Sequence, residues 1–299
     1  MVNYDARNWV GVLTQVHGSV FPRLFYRVLA VASVALVATY LFETQHVKFA
    51  PVAHTMVGAA LGLLLVFRTN TSYDRYWEGR KLLGSSINRL RDLMRQVAGN
   101  ARGGSAHALC LELQRRLVIF FGLQRQYLRQ ERSLEGLNAP LSETEKAELE
   151  PLTARPVAYL AGISRLLSDA HRDGLLDAEI HRNIDSNLTA LMDNLGGAER
   201  IVKTPVPFAY AQHIKGFLFI FCFTLPFVLA EPVGRWNLVA SAAVAYALFG
   251  IEEIGVEIED PFGDDPNDLP IDTMELGLKK VTEDMVSVAQ SPLTAPKST

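Results

Sequence analysis

The sequence predicts an all-α integral membrane protein with four transmembrane helices and a helical cytoplasmic region. Three observations carry that prediction. Apolar runs at residues 24–42, 51–67, 214–230 and 236–251 each approach the ~20 residues needed to cross a bilayer. The segments between and after them are charged and read as helices, and no stretch alternates with the period of a strand. Hydrophobic residues are 49% of the 299, charged residues 20%, and mean hydropathy is +0.12, so apolar and charged stretches are segregated along the chain.

Residues 1–22 are amphipathic, with Trp9, Val10, Val12, Leu13 and Val16 forming an apolar stripe suited to a membrane surface or to the cytoplasmic part. Arg7, Arg23 and Arg27 precede the uninterrupted apolar run that starts near Val28 and reaches Phe42 without a convincing small-residue cleavage site, so it reads as a retained anchor. The short linker Glu43 to Lys48 makes the first two spans an antiparallel hairpin.

Val52 to Arg95 reads as one helix, apolar as far as Phe67 and densely charged after it, with no proline at the join. Small residues at Gly58, Ala59, Ala60 and Gly62 permit close helix approach in lipid. Ala59, Leu63 and Phe67 fall at i, i+4 and i+8, on one stripe. Such a stripe is either buried packing or the wall of a pore. The cluster Arg68, Arg75, Arg80, Lys81, Arg89, Arg91 and Arg95 places this side in the cytoplasm by the positive-inside rule.

From Ser105 to Lys203 the chain reads as helical and soluble. Ser142-Glu143-Thr144-Glu145 is a capping box, Pro151 ends the short helix it opens, and Pro156 starts the next. Asp173-Gly174 breaks that helix and Asp177 opens a long one to Val202. Thr204-Pro205-Val206-Pro207-Phe208 is an elbow, since two prolines fix φ and withhold donors. Two further spans follow, joined outside by Glu231 to Arg235. Both termini are then cytoplasmic, in a multi-pass protein of the plasma (inner) membrane whose cytoplasmic region covers about 68–213 and 252–299. An acidic block runs from Glu252 to Asp268; Leu276 to Ala289 reads as a short amphipathic helix and Ser291 to Thr299 as a loose tail.

Several functions are disfavoured. A net charge of -3 offers no basic face for nucleic acid. Cys110 and Cys222 lack metal or redox spacing and read as buried structural thiols. His171 and His181 lack a carboxylate-rich ligand pattern, and no phosphate loop, G-x-S-x-G or Cys-x-x-Cys occurs, so no enzyme is expected. His54, inside a span near the Pro51 end, reads either as a functional intramembrane group or as a helix-packing residue.

Three stretches carry a resemblance to a known family. They are Phe67 to Arg80 (FRTNTSYDRYWEGR), Ile258 to Pro270 (IEDPFGDDPNDLP) and the elbow Pro205 to Tyr210. Bracketing nearly the whole chain, they resemble the bestrophin family in its shorter bacterial form, which makes 1–299 a single bestrophin-like unit. The resemblance implies a homopentameric ion channel, its pore lined by the second span of every subunit, with membrane lipids and small inorganic ions as its other partners. Three neck positions ending just before the arginine motif land on Ala59, Leu63 and Phe67. In a closed ring an apolar stripe facing the axis makes a constriction that gates by dewetting. Ala59 is smaller than the family's usual bulky residue, which puts the tight part at Leu63 and Phe67.

The family's cytoplasmic aperture falls by position on Val206, with Ile180 and Ile184 as alternatives lining the vestibule. The acidic block resembles the calcium clasp of the family's animal members, which places calcium ligands at Asp260, Asp265 and Asp268. Asp260 stands where the family has Asn, and Pro266 and Asn267 interrupt the acidic run; the alternative is a structural turn whose carboxylates pair with basic groups near Arg75 and Arg80. No cofactor is required. Chloride is the ion the family favours; a sodium-type cation channel and a non-conducting membrane-anchored scaffold or sensor are the alternatives.

Overall fold

The structure, a computed structural model, describes residues 4–5, 7–47 and 49–289. Every regular element among them is helical. In order these are α1 (Trp9–Thr14), α2 (Phe21–Gln45), α3 (Pro51–Asn100), α4 (Ala106–Leu128), α5 (Glu143–Leu149), α6 (Arg155–Arg172), α7 (Ala178–Lys203), α8 (Phe208–Val233), a 3-10 turn (Gly234–Trp236), α9 (Asn237–Glu257) and α10 (Ile271–Ala289). The chain divides into two compact units. The first takes residues 1–77, 204–261 and 265–268, and the second takes 78–203, 262–264 and 269–299.

In the first unit α2, α8 and α9 pack on one another around Leu24, Val31, Leu61, Leu65, Ile214, Leu218, Phe221, Cys222, Ala245 and Phe249. Among the described residues three segments are long and apolar enough to cross a membrane: Phe21–Gln45, the start of Pro51–Asn100, and Phe208–Glu257. The third combines both C-terminal spans of the sequence reading. It is broken by the 3-10 turn, where Gly234 sits at φ 56°, in left-handed space open to glycine. α8 and α9 pack side by side across this break. A buried polar cluster joins them to α2. Asn237 Nδ2 donates to the Pro226 carbonyl (2.9 Å) and to Thr39 Oγ1 (3.1 Å), while Ser241 Oγ donates to Asn237 Oδ1 (2.9 Å). In lipid such bonds replace the hydrophobic drive that water would supply.

α2 begins at Phe21, ahead of the expected Leu24, because Pro22 fits the first turn of a helix, whose amides have no partner to lose. It ends at His46, in a left-handed conformation (φ 57°) with its N–H on the Phe42 carbonyl. α3 is unbroken through the expected apolar-to-charged join and extends to Asn100. Of its small residues, Gly58 is the one that permits contact: a Cβ there would meet the Phe221 ring at 3.0 Å, whereas nothing lies within 4 Å of one at Gly62. α1 covers part of the expected N-terminal stripe, and Trp9, Val10 and Leu13 stand exposed on it.

In the second unit α4 is the central helix, packed by α10, α6 and α7. Its run Leu117 to Leu123 is buried all round, as a helix enclosed by neighbours requires. The capping box forms in full: Ser142 Oγ accepts from the Glu145 N–H (3.2 Å) and Glu145 Oε2 from the Ser142 N–H (2.8 Å). Asp177 Oδ1 accepts from the Ile180 N–H (2.8 Å), so the expected start of α7 is held by a cap. α10 begins at Ile271, five positions before the expected Leu276. Pro270 ends the preceding turn and its carbonyl accepts from the Met274 N–H (3.0 Å). The tail expected from Ser291 to Thr299 lies outside the described residues.

Candidate neck, elbow clamp and acidic turn

Within the first unit α3 has two faces. His54, Gly58, Leu61, Leu65, Arg68 and Ser72 follow the helical period and turn inward; Leu61 and Leu65 are at 0% and 1% exposure. The opposite stripe holds Val52, Met56, Ala59, Leu63 and Phe67, all exposed, with Leu63 at 58% and Phe67 at 55%. The three candidate neck residues therefore share one face, and among the described residues nothing covers it. The described helices of this chain do not bury it. His54 lies on the packed face. Its Nε2 is 3.2 Å from both the Phe221 carbonyl and Thr224 Oγ1, and its ring stacks on Phe221 at 4.1 Å.

Directly after Phe67 the helix becomes a clamp. Arg68, 3% exposed, donates through Nη2 to Glu259 Oε2 (2.5 Å). The other carboxylate oxygen, Oε1, accepts from the backbone N–H of Val206 (2.9 Å). In Pro205-Val206-Pro207 that N–H is the elbow's single donor, since proline has none. Arg75, almost two turns further along α3, donates from Nε to the Glu259 carbonyl (3.1 Å) and from Nη1 to the Thr204 carbonyl (2.6 Å). Val206 is half-buried. Its proposed alternatives differ from each other: Ile184 is 1% exposed, in the packed face of α7, and Ile180 is half-buried. A residue in the core of its own unit cannot line a vestibule, so Ile184 is set aside.

The C-terminal end of α9 is densely acidic and mostly buried: Glu252, Glu253 and Glu257 are 3%, 7% and 8% exposed. α2 supplies part of the compensation. Arg27 Nη1 reaches Glu253 Oε2 (2.7 Å), and Arg23 lies 3.8 Å from Glu253, 3.9 Å from Glu257 and 3.1 Å from Asp265. Lys215 of α8 approaches Glu252 (3.6 Å). Buried carboxylates need such partners, because desolvating an unpaired charge costs several kcal/mol.

The three candidate calcium ligands are held in a turn. Asp265 receives Arg23, and Asp268 Oδ2 accepts from the Asp265 N–H (2.7 Å), an arrangement typical of aspartate in turns. Asn267 Nδ2 donates to the Gly18 carbonyl and to Glu257 Oε1, both at 2.9 Å. Asp260 also has a partner. Among the described residues no three His, Cys, Asp or Glu side chains gather as metal ligands would. Asp265 takes its basic partner from Arg23 of α2, while Arg75 of the expected neighbourhood reaches the Glu259 carbonyl next to Asp260.

Asp268 is 4% exposed, and burial, with the nearby carboxylates of Asp265, Asp260 and Glu257 adding, pushes its pKa up to about 6. A carboxyl raised above its unfolded value holds its proton more tightly in the folded chain. Its stabilising effect is therefore complete below about pH 4 and is lost as pH rises through about 6; by linkage the difference is on the order of 3 kcal/mol. Asp268→Asn keeps an oxygen for the Asp265 N–H and removes the charge. We expect the variant to unfold later than the native chain at pH 8 and together with it at pH 4. Parallel melting curves across that range would refute the assignment.

Sequence reasoning missed the clamp and the α2–α9 pairing. A signal for the second was present: Arg23 and Arg27 share the i, i+4 spacing of Glu253 and Glu257, so each pair occupies one helix face. For the clamp the signal was the single donor between two prolines.

The model of the bacterial and fungal bestrophin family matches residues 1–284. The chain is 36% identical over 289 residues to a voltage-dependent anion channel-forming protein of a Nostoc species, covering 95% of this chain and 93% of the relative. It is also 36% identical over 286 residues to one from Synechocystis, covering 94% and 93%. A solved bacterial bestrophin homologue from Klebsiella pneumoniae superposes with a TM-score of 0.81 at 26% identity, over 90% of this chain and all of that one. A helical chain with membrane-length apolar segments, an uncovered apolar stripe before Arg68 and these relatives along nearly its whole length belongs to the bacterial and fungal bestrophin family.

Proposed function

We propose that the protein is an ion channel of the inner membrane, a ring of identical subunits, five by family resemblance, with α3 of each facing the central axis. The observation that carries this reading is the bare stripe of Ala59, Leu63 and Phe67. A span that leaves one apolar face uncovered while its opposite face is packed has to meet lipid or another copy of itself. In a closed ring the same face recurs around the axis as stacked apolar collars. Such collars resist wetting and so gate conduction without fixed charge. The four spans of this reading are α2, the first part of α3, α8 and α9, with both termini in the cytoplasm. The basic residues after Phe67 support that orientation.

The permeant ion in this reading is chloride. The relatives' names specify anions, and the ring edge of Phe67 offers a weakly positive rim to them. The reversal potential in planar bilayers under a sodium chloride gradient tests it. A value near the chloride equilibrium potential supports the reading, and one near that of sodium makes this a cation channel. Silence from folded protein favours a scaffold.

Asp260, Asp265 and Asp268 act here as a structural turn. Calcium added to the purified protein in a calorimeter is expected to release no binding heat. A saturable heat abolished by Asp265→Asn would return these residues to a metal site.

A further inference from the structure

The exposed stripe of α3 does not stop at Phe67. We propose that Asp74 is a specificity-determining residue of the same pore: in the ring it places one carboxylate per subunit on the cytoplasmic side of Phe67, where it draws cations and opposes anions. This rests on reading α3 as the helix that faces the axis.

Counting gives the bearing. At about 100° and about 1.5 Å per residue, Asp74 returns to within about 20° of both Leu63 and Phe67 and lies about 10 Å beyond Phe67. α3 is unbroken across that interval. Asn70 and Asp74 are both exposed, and among the described residues no cation pairs with Asp74. The nearest cations in sequence are engaged elsewhere. Arg68 is buried against Glu259, and Arg75 donates to the carbonyls of Glu259 and Thr204. The stripe thus turns from apolar to acidic within two turns: Ala59, Leu63 and Phe67 are uncharged, and Asp74 is the first ionisable group after them on this face. A separation of about 10 Å equals the screening length at about 0.1 M salt. Each carboxylate therefore acts on an ion arriving at Phe67, and like charges around one axis add. In the chloride reading the apolar collars pass the anion while Asp74 hinders its entry from the cytoplasm.

The test measures the ratio of chloride to sodium permeability, from the reversal potential under a sodium chloride gradient, in the native protein and in Asp74→Asn. Neutralisation is expected to raise that ratio about tenfold in dilute salt near 0.01 M, where the screening length is about 30 Å. Near 1 M, where that length is about 3 Å, the ratio should hardly move. Asp74→Cys, labelled after assembly, supplies a second arm, since native Cys110 and Cys222 are buried and give little background. A sulfonate-bearing thiosulfonate should return the ratio toward the native value. An ammonium-bearing one should carry it further toward chloride.

An unchanged ratio in dilute salt, in a channel whose conductance Phe67→Ala alters, overturns the proposal and leaves the pore reading standing. If neither substitution alters conduction, or the native protein is silent, α3 does not line a pore and both readings fall. A shift as large in 1 M salt as in dilute salt also overturns the proposal, because a field acting through solution is screened there. Should Asp74→Asn alone fail to assemble, the labelled Asp74→Cys carries the same test. Loss of assembly in both variants overturns the proposal too, since a carboxylate facing open solution has no part in holding subunits together.

Discussion

Replacing Glu259 with alanine is expected to cost this protein most of its folded material. The substitution leaves the guanidinium of Arg68, 4% exposed at its side chain, without its carboxylate, and leaves the elbow's single donor without an acceptor. Removing one partner of a buried pair costs about 3–5 kcal/mol, because the charge left behind keeps its desolvation penalty. Net stabilities of domains are only about 5–15 kcal/mol. Thermal unfolding in detergent, followed by size exclusion, should register a large drop. Arg68→Met with Glu259→Gln should recover much of it, since no buried ion then remains. Equal losses in the single and the double variant would mean that the pair is not coupled.

Phe67→Ala is expected to raise conductance and weaken gating with little loss of stability, while Leu61→Ala should lose stability and leave the conductance of folded channels unchanged. The two residues lie on opposite faces of one helix. Phe67 is 55% exposed and Leu61 is at 0%, packed with Leu24, Leu65 and Phe221. Truncating a buried leucine costs about 2–5 kcal/mol through lost contacts and a residual cavity. Truncating Phe67 costs the single chain little packing and widens the collar that its side chains would form. Single-channel recordings alongside melting curves separate the two. Unchanged conductance in Phe67→Ala would move the constriction elsewhere on the stripe.

Much of the fold was legible in the sequence because its signals are local. Long apolar runs, the prolines of the elbow, the Ser142 capping box and Asp177 each act within a few residues of themselves. The exposed stripe at Ala59, Leu63 and Phe67 was legible as a stripe, but its bareness required knowing where α8 packs, at Gly58 and on the opposite face. The start of α10 was missed because the amphipathic period was read as beginning at Leu276, whereas Pro270 sets it at Ile271. The acidic block was visible as charge, yet two of its partners, Arg23 and Arg27, lie more than two hundred positions earlier. No local pattern reports a pairing across that separation. The clamp hides for a different reason: its key group is a backbone N–H, which a list of side chains does not display.

α3 also imposes a rule on length. It runs from Pro51 to Asn100 without a break, so the bearing of every side chain on it is set by counting. One residue inserted between Phe67 and Arg68 would turn everything downstream by about 100° relative to the exposed stripe before it. Arg68 could then meet Glu259 only if Leu63 and Phe67 left their face. Insertions in the loop between α4 and α5 face no such condition, because irregular chain absorbs an added residue. The helix works like a camshaft, its lobes phased by a shaft that can be neither lengthened nor shortened. One-residue insertions after Phe67 should abolish channel function, whereas the same insertion near Ser133 should be silent in the same flux measurement.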